Sequence, residues 1–199
     1  MPSREEPYMN TIRAFIAVEI DPQTKQKISG LISSLKKSNA DVKWVAEEQM
    51  HLTLKFLGNI EQTKIQEISD TLNSISANSS PFTIHLSQLG AFPNIDHPRV
   101  IWLGIDKGAD MLKTFAEKIE LGLEKLRIKR ETRGFKSHLT LGRVKSSKNM
   151  LNLVKLLKET AFYSETDISI DELILFQSTL TPKNAIYTIL SKNKLTKGS

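Results

Sequence analysis

Cysteine is absent from this chain of 199 residues. That excludes disulfides and removes every thiolate ligand from consideration as a metal holder. No apolar run approaches the roughly 18 residues that a bilayer-spanning helix requires. The start, Met1-Pro-Ser-Arg-Glu-Glu, is polar and acidic. It lacks the basic-then-apolar order of a secretory leader. Histidine is scarce as well, with 4 in the whole chain. A cytoplasmic monomer without a membrane segment is therefore expected. Charged residues make up 25% and hydrophobic residues 39%, an ordinary balance for a protein with a buried core.

The scarcity of histidine makes its distribution informative. Two of the four stand in one repeated tetrapeptide, His51-Leu52-Thr53-Leu54 and His138-Leu139-Thr140-Leu141. Random order at this composition would yield roughly 0.004 copies of such a string. In a β-strand, alternate side chains face opposite ways. Each copy thus sets an imidazole and a hydroxyl side by side and turns two leucines toward a core.

The surroundings repeat too. Arg13-Ala-Phe-Ile-Ala-Val-Glu-Ile-Asp21 is similar to Arg99-Val-Ile-Trp-Leu-Gly-Ile-Asp106, and the two begin 38 and 39 residues before their histidines. A helical pattern follows each: Ile28, Leu31, Ile32 and Leu35 after a cap at Asp21 and Pro22, then Leu112, Phe115, Ile119, Leu123 and Leu126. Past each tetrapeptide comes another helix (Ile65, Ile68, Leu72, Ile75; Leu153, Leu156, Leu157) and another strand. These closing strands are Phe82–Leu89 and Ile168–Phe176. The chain predicts a duplicated β-α-β-α-β unit of about 85 residues. The fold class is α+β: two pseudo-symmetric lobes, mainly antiparallel sheets facing a central cleft, helices outside. One bilobal domain over 11–191 is expected, between a flexible N-terminus (1–10) and a flexible tail (192–199).

Net charge is +6, and Arg127, Lys129, Arg130, Arg133 and Lys136 crowd the approach to the second tetrapeptide. Beside a phosphate site such a run attracts a polyanion. Two imidazoles and two hydroxyls around one phosphate suffice for acid–base chemistry. One neutral histidine deprotonates a water, one protonated histidine serves the leaving oxygen, and the threonines donate to the non-bridging oxygens. His85, within a strand, and His97, before Pro98, read as ordinary. No two histidines have the close spacing of zinc ligands, so no metal site is expected.

At these residues the chain resembles the 2H phosphoesterase superfamily, and within it the RNA 2′,3′-cyclic phosphodiesterases also called 2′-5′ RNA ligases. Further strings carry the likeness: Trp44, Lys55-Phe56-Leu57-Gly58, Pro98-Arg99-Val100-Ile101-Trp102-Leu103, Gly142-Arg143, Gln177-Ser178 and Tyr187. Ser137 stands where the family commonly has Pro, and Asn184 where it commonly has Gly. The resemblance implies His51 as general acid for the 3′ oxygen and His138 as general base. It implies Thr53, Thr140 and Arg143 on the phosphate, and Phe56 on the nucleobase, with Lys55, Arg130 and Arg133 as further RNA contacts. No cofactor is implied. The implied partner is RNA ending in 2′,3′-cyclic phosphate, with tRNA fragments as candidate substrates, converted to a 2′-phosphate end or, in reverse, joined 2′-5′. A small cyclic-phosphate nucleotide, or RNA-end binding without catalysis, are the alternatives. Strand parity sets Phe56 and Arg143 on the face opposite the histidines, so both need a bulge or strand end near Lys55 and Gly142 to reach the cleft.

Overall fold

The computed structural model describes residues 10–132, 134–182 and 184–196. In chain order the elements are β1 (Thr11–Glu19), α1 (Pro22–Lys36), β2 (Val42–Trp44), β3 (His51–Glu61), α2 (Ile65–Ala77), β4 (Phe82–Phe92), β5 (Val100–Lys107), α3 (Ala109–Glu124), β6 (His138–Val144), α4 (Met150–Glu159), β7 (Ile168–Ile170), β8 (Glu172–Leu180) and β9 (Ala185–Lys194). The strands form two sheets, ordered β3-β1-β8-β9 and β2-β6-β5-β4-β7. Every pairing within them is antiparallel.

Local rules explain the helices. The Asp21 carboxylate accepts the Thr24 N–H at 2.8 Å and Pro22 opens α1, as a capped helix start requires. Its buried stripe is Ile28, Leu31, Ile32 and Leu35. In α3 the buried face is Leu112, Phe115, Ala116, Ile119 and Leu123, while Leu126 packs on the core from beyond the helix end. One continuous apolar cluster runs from Ile12 and Ile28 in the first half to Leu139 and Leu157 in the second.

The two lobes do not coincide with the two sequence repeats. Each half gives its last strand to the other lobe: β4 pairs with β5, and β8 pairs with β1. The short 93–99 connection favours pairing of consecutive strands, which draws β4 into the second sheet and leaves β8 to complete the first. The segment 168–176, expected as one strand, is therefore two. Buried Ile168 and Ile170 follow β4, and past Asp171 the chain changes sheet. Strands β2 and β9 carry too little periodic signal to be read in advance. Nor does the ordered chain stop at 191. β9 runs to Lys194 and Leu195 is buried, because the Leu195 N–H donates to the Asp171 carbonyl at 2.7 Å. Residues 1–9 and 197–199 of the expected flexible ends lie outside the described residues.

Candidate active site

The cleft between the sheets has a volume of about 950 Å³ and is lined by both tetrapeptides: His51, Thr53, His138 and Thr140. β3 and β6 bring them there by plain alternation. Leu52, Leu54, Leu139 and Leu141 are all at most 5% exposed. A one-residue slip of β3 would expose Leu52 and Leu54, at about 3–6 kcal/mol for the pair. The register that buries the leucines is the register that presents the imidazoles.

Alternation then fails at one equivalent point in each motif. Ile16 pairs with Lys55 but Ala17 with Thr53, so Leu54 is an extra residue. Ile101 pairs with Gly142 but Trp102 with Thr140, so Leu141 is extra. Both bulges fall on the last residue of the tetrapeptide and reset the parity of the strand beyond it. Phe56 and Arg143, five positions after the histidines, thereby join the cleft face, and both line it. Phe56 is 64% exposed, a free aromatic face. Gly142 has a steric reason to be glycine: a Cβ there would lie 2.8 Å from Val42 Cγ1 and 2.9 Å from Trp44 Cε3. Trp44 thus packs over the second bulge from β2.

The two imidazoles are held alike and bathed differently. His138 Nδ1 lies 2.7 Å from the Lys136 carbonyl. Only an N–H can face that oxygen, so Nδ1 carries the hydrogen and Nε2 is left for a ligand. His51 makes the corresponding hydrogen bond to the backbone of Gln49, also two residues upstream. His51 stacks on Phe15 at 4.7 Å between ring centres, with Tyr187 edge-on at 5.2 Å and Phe176 at 6.0 Å. Burial in this cage lowers its pKa to about 4 against the pull of the Gln49 bond. His138 meets Phe92 edge-on at 5.2 Å. Burial also holds it below its ordinary value, and the charges of Arg143 and Lys136 add to the effect. Both histidines are therefore neutral at pH 7 in the protein alone. A bound anion supplies the charge that favours their protonation. Neither threonine hydroxyl has a partner among the described residues, which leaves both free to donate to a ligand.

The other expected residues fall in several places. Lys55 borders the cleft, but its ammonium is buried and spent: Nζ lies 2.6 Å from Glu120 Oε2 on α3 and donates to the Lys129 carbonyl at 3.0 Å. It ties the first sheet to the basic segment of the second half, and an RNA contact is not open to it in this state. Arg130 is not among the cleft residues and sits 3.7 Å from Glu124. Arg133 lies outside the described residues. His85 has both nitrogens engaged, by Asp106 at 2.8 Å and the Ser164 carbonyl at 2.6 Å. His97 stands in the loop before β5, where its backbone N–H donates to Asn94. Arg13, Gln49 and Phe92 also line the cleft. They escaped sequence inspection because nothing in one dimension shows which strand ends meet across it.

A family model described as LigT like Phosphoesterase matches this chain twice in succession, over residues 18–102 and 103–187. The chain belongs to the LigT-like phosphoesterase family. The doubled match mirrors the doubled tetrapeptide. Proteins named RNA 2′,3′-cyclic phosphodiesterase are similar along most of their length. That of Aeropyrum pernix is 34% identical over 84% of this chain and 94% of its own. That of Methanothermobacter thermautotrophicus is 32% identical over 89% and 95%. Among solved structures, a Thermus thermophilus protein superposes with a TM-score of 0.79 at 25% identity, covering 94% of this chain and 99% of that one. Escherichia coli LigT shares the fold, at a TM-score of 0.76 and 22% identity over 94% and 99% of the two chains. The LigT-like assignment agrees with the α+β architecture of two antiparallel sheets around one cleft.

Proposed function

We propose that this LigT-like phosphoesterase opens the 2′,3′-cyclic phosphate at RNA ends and leaves a 2′-phosphate, without a metal. The observation that carries this is the pairing, across one cleft, of two backbone-tethered imidazoles and two unpartnered threonine hydroxyls. His138 Nε2 takes a proton from water as its oxygen attacks phosphorus. The P–O3′ bond breaks, and protonated His51 gives its proton to the departing 3′ oxygen. Thr53, Thr140 and Arg143 hold the non-bridging oxygens, while Phe56 offers a face to the terminal base. Cage burial makes His51 hard to protonate alone, so the phosphate's own negative charge is needed to load this acid. A 5′-hydroxyl in place of water would run the same steps to a 2′-5′ linkage. RNA ends such as those of cleaved tRNA are the substrates in this reading, met by a monomer in the cytoplasm.

The test is an oligonucleotide ending in 2′,3′-cyclic phosphate, incubated in EDTA with product analysis. A 2′-phosphate product is expected. His51→Ala and His138→Ala should each slow the reaction by roughly 10²- to 10⁴-fold. Absence of turnover by the wild type, or turnover only with added metal, would overturn the proposal. A 3′-phosphate product would refute the assignment of the leaving oxygen.

A further inference from the structure

The cleft holds more positive charge than one phosphodiester needs. Arg143 reaches it from β6, and Arg13 from β1 on the facing sheet. Neither guanidinium pairs with a carboxylate among the described residues. Strand register gives the surroundings of Arg13. Arg13, Phe15 and Ala17 share the cleft face of β1, and Phe15 is the ring under His51. Ala14 pairs with Gln177, so one step along this antiparallel ladder puts Arg13 beside Ser178. Ser178 in turn pairs with Tyr187 on β9. One row across three adjacent strands therefore presents a guanidinium, a hydroxyl and a phenol, and all three line the cleft. The Tyr187 hydroxyl has no hydrogen-bond partner among the described residues. It lies within range of the charges of both Arg13 and Arg143, although burial keeps its pKa raised. Arg13 stands two residues along β1 from Phe15, about 7 Å, the scale of one nucleotide step, and the Tyr187 ring spans that interval, 5.2 Å from the ring of His51.

We propose that Arg13, Ser178 and Tyr187 seat a second phosphate, the linkage that joins the terminal nucleotide to the rest of the RNA. This rests on the RNA-end activity proposed above and adds its discriminating element. A free nucleoside 2′,3′-cyclic phosphate has one phosphate and leaves the Arg13 and Ser178 end of the row empty. A polymer end fills both seats. Arg13 is exposed on its strand, so its replacement leaves the core intact.

The experiment compares kcat/KM for a short oligonucleotide ending in cyclic phosphate with that for cytidine 2′,3′-cyclic phosphate, in wild type and Arg13→Gln. The oligonucleotide-to-mononucleotide ratio is expected to collapse roughly 10- to 100-fold in the variant, through KM, as loss of a charge-assisted contact implies. The salt slope of oligonucleotide binding should flatten by about 0.7, the loss of one single-strand phosphate contact. An unchanged ratio, whether both substrates suffer equally or neither suffers, would overturn the proposal. A binding arm separates it from the activity itself. Two oligonucleotides carrying a terminal 2′-phosphate are compared, one with a neutral methylphosphonate at the adjoining linkage. Wild type should prefer the charged one by the same factor and Arg13→Gln should not. If wild type turned over neither cyclic substrate, the enzymatic proposal would fail, and this comparison would still decide whether the second seat exists.

Discussion

His51 should impose a measurable pH dependence on the stability of the whole fold. Its pKa is about 4 in the folded protein and about 6.5 once unfolding removes the cage of Phe15, Phe176 and Tyr187. Between those values the unfolded chain holds a proton that the folded chain refuses, so stability rises with pH through that window. The full gap is worth about 3 kcal/mol, most of which should be lost between pH 7 and pH 4.5. The perturbation is His51→Gln, which keeps a polar side chain of similar reach but does not titrate. Urea unfolding at a series of pH values measures both proteins. Carboxylates such as Asp106 titrate in each and cancel in the difference. The difference curve should slope between pH 6.5 and 4 and be flat above pH 7. Direct titration of the His51 ring by NMR should give a midpoint near 4, moving upward when inorganic phosphate is added. A flat difference curve, or a midpoint near 6.5 without phosphate, would refute the link between the aromatic cage and the proposed dependence of His51 protonation on bound phosphate.

The packing sets two more expected outcomes. Lys55→Met should destabilise the fold by about 2–3 kcal/mol, because it strands the half-buried Glu120 carboxylate. The double variant with Glu120→Leu should recover most of that in denaturant unfolding, and a single variant within about 1 kcal/mol of wild type would show the pair to be solvated. Gly142→Ala drives a Cβ against Val42 and Trp44, so a loss of about 1–3 kcal/mol is expected by thermal unfolding. Weaker phosphate binding should accompany it as Arg143 shifts with the strand, and unaltered affinity would mean that the bulge does not aim Arg143.

The helices were legible because their cause is local. Asp21, Pro22 and the Ile28–Leu35 stripe act within a few turns of chain. The motif strands were legible because period-two alternation survives in Leu52, Leu54, Leu139 and Leu141. The closing strands were legible as strands but not as partners. Nothing in Phe82–Phe92 or Glu172–Leu180 states which sheet it will join, since both sheets bury one face in the same way. Lys55 shows the limit at a single side chain: sequence parity cannot reveal a carboxylate 65 positions away on α3.

Residue order alone puts two imidazole-and-hydroxyl pairs on leucine-backed strands in a duplicated chain, because alternation and composition are properties of neighbours. The packing of the two sheets makes each half lend its last strand to the other lobe, and it sets the bulges at Leu54 and Leu141 that turn Phe56 and Arg143 inward. Tertiary contacts alone seat His51 in an aromatic cage and not His138. Those outcomes depend on which surfaces meet across the cleft, and desolvation, register and charge there are set by residues far apart in the chain.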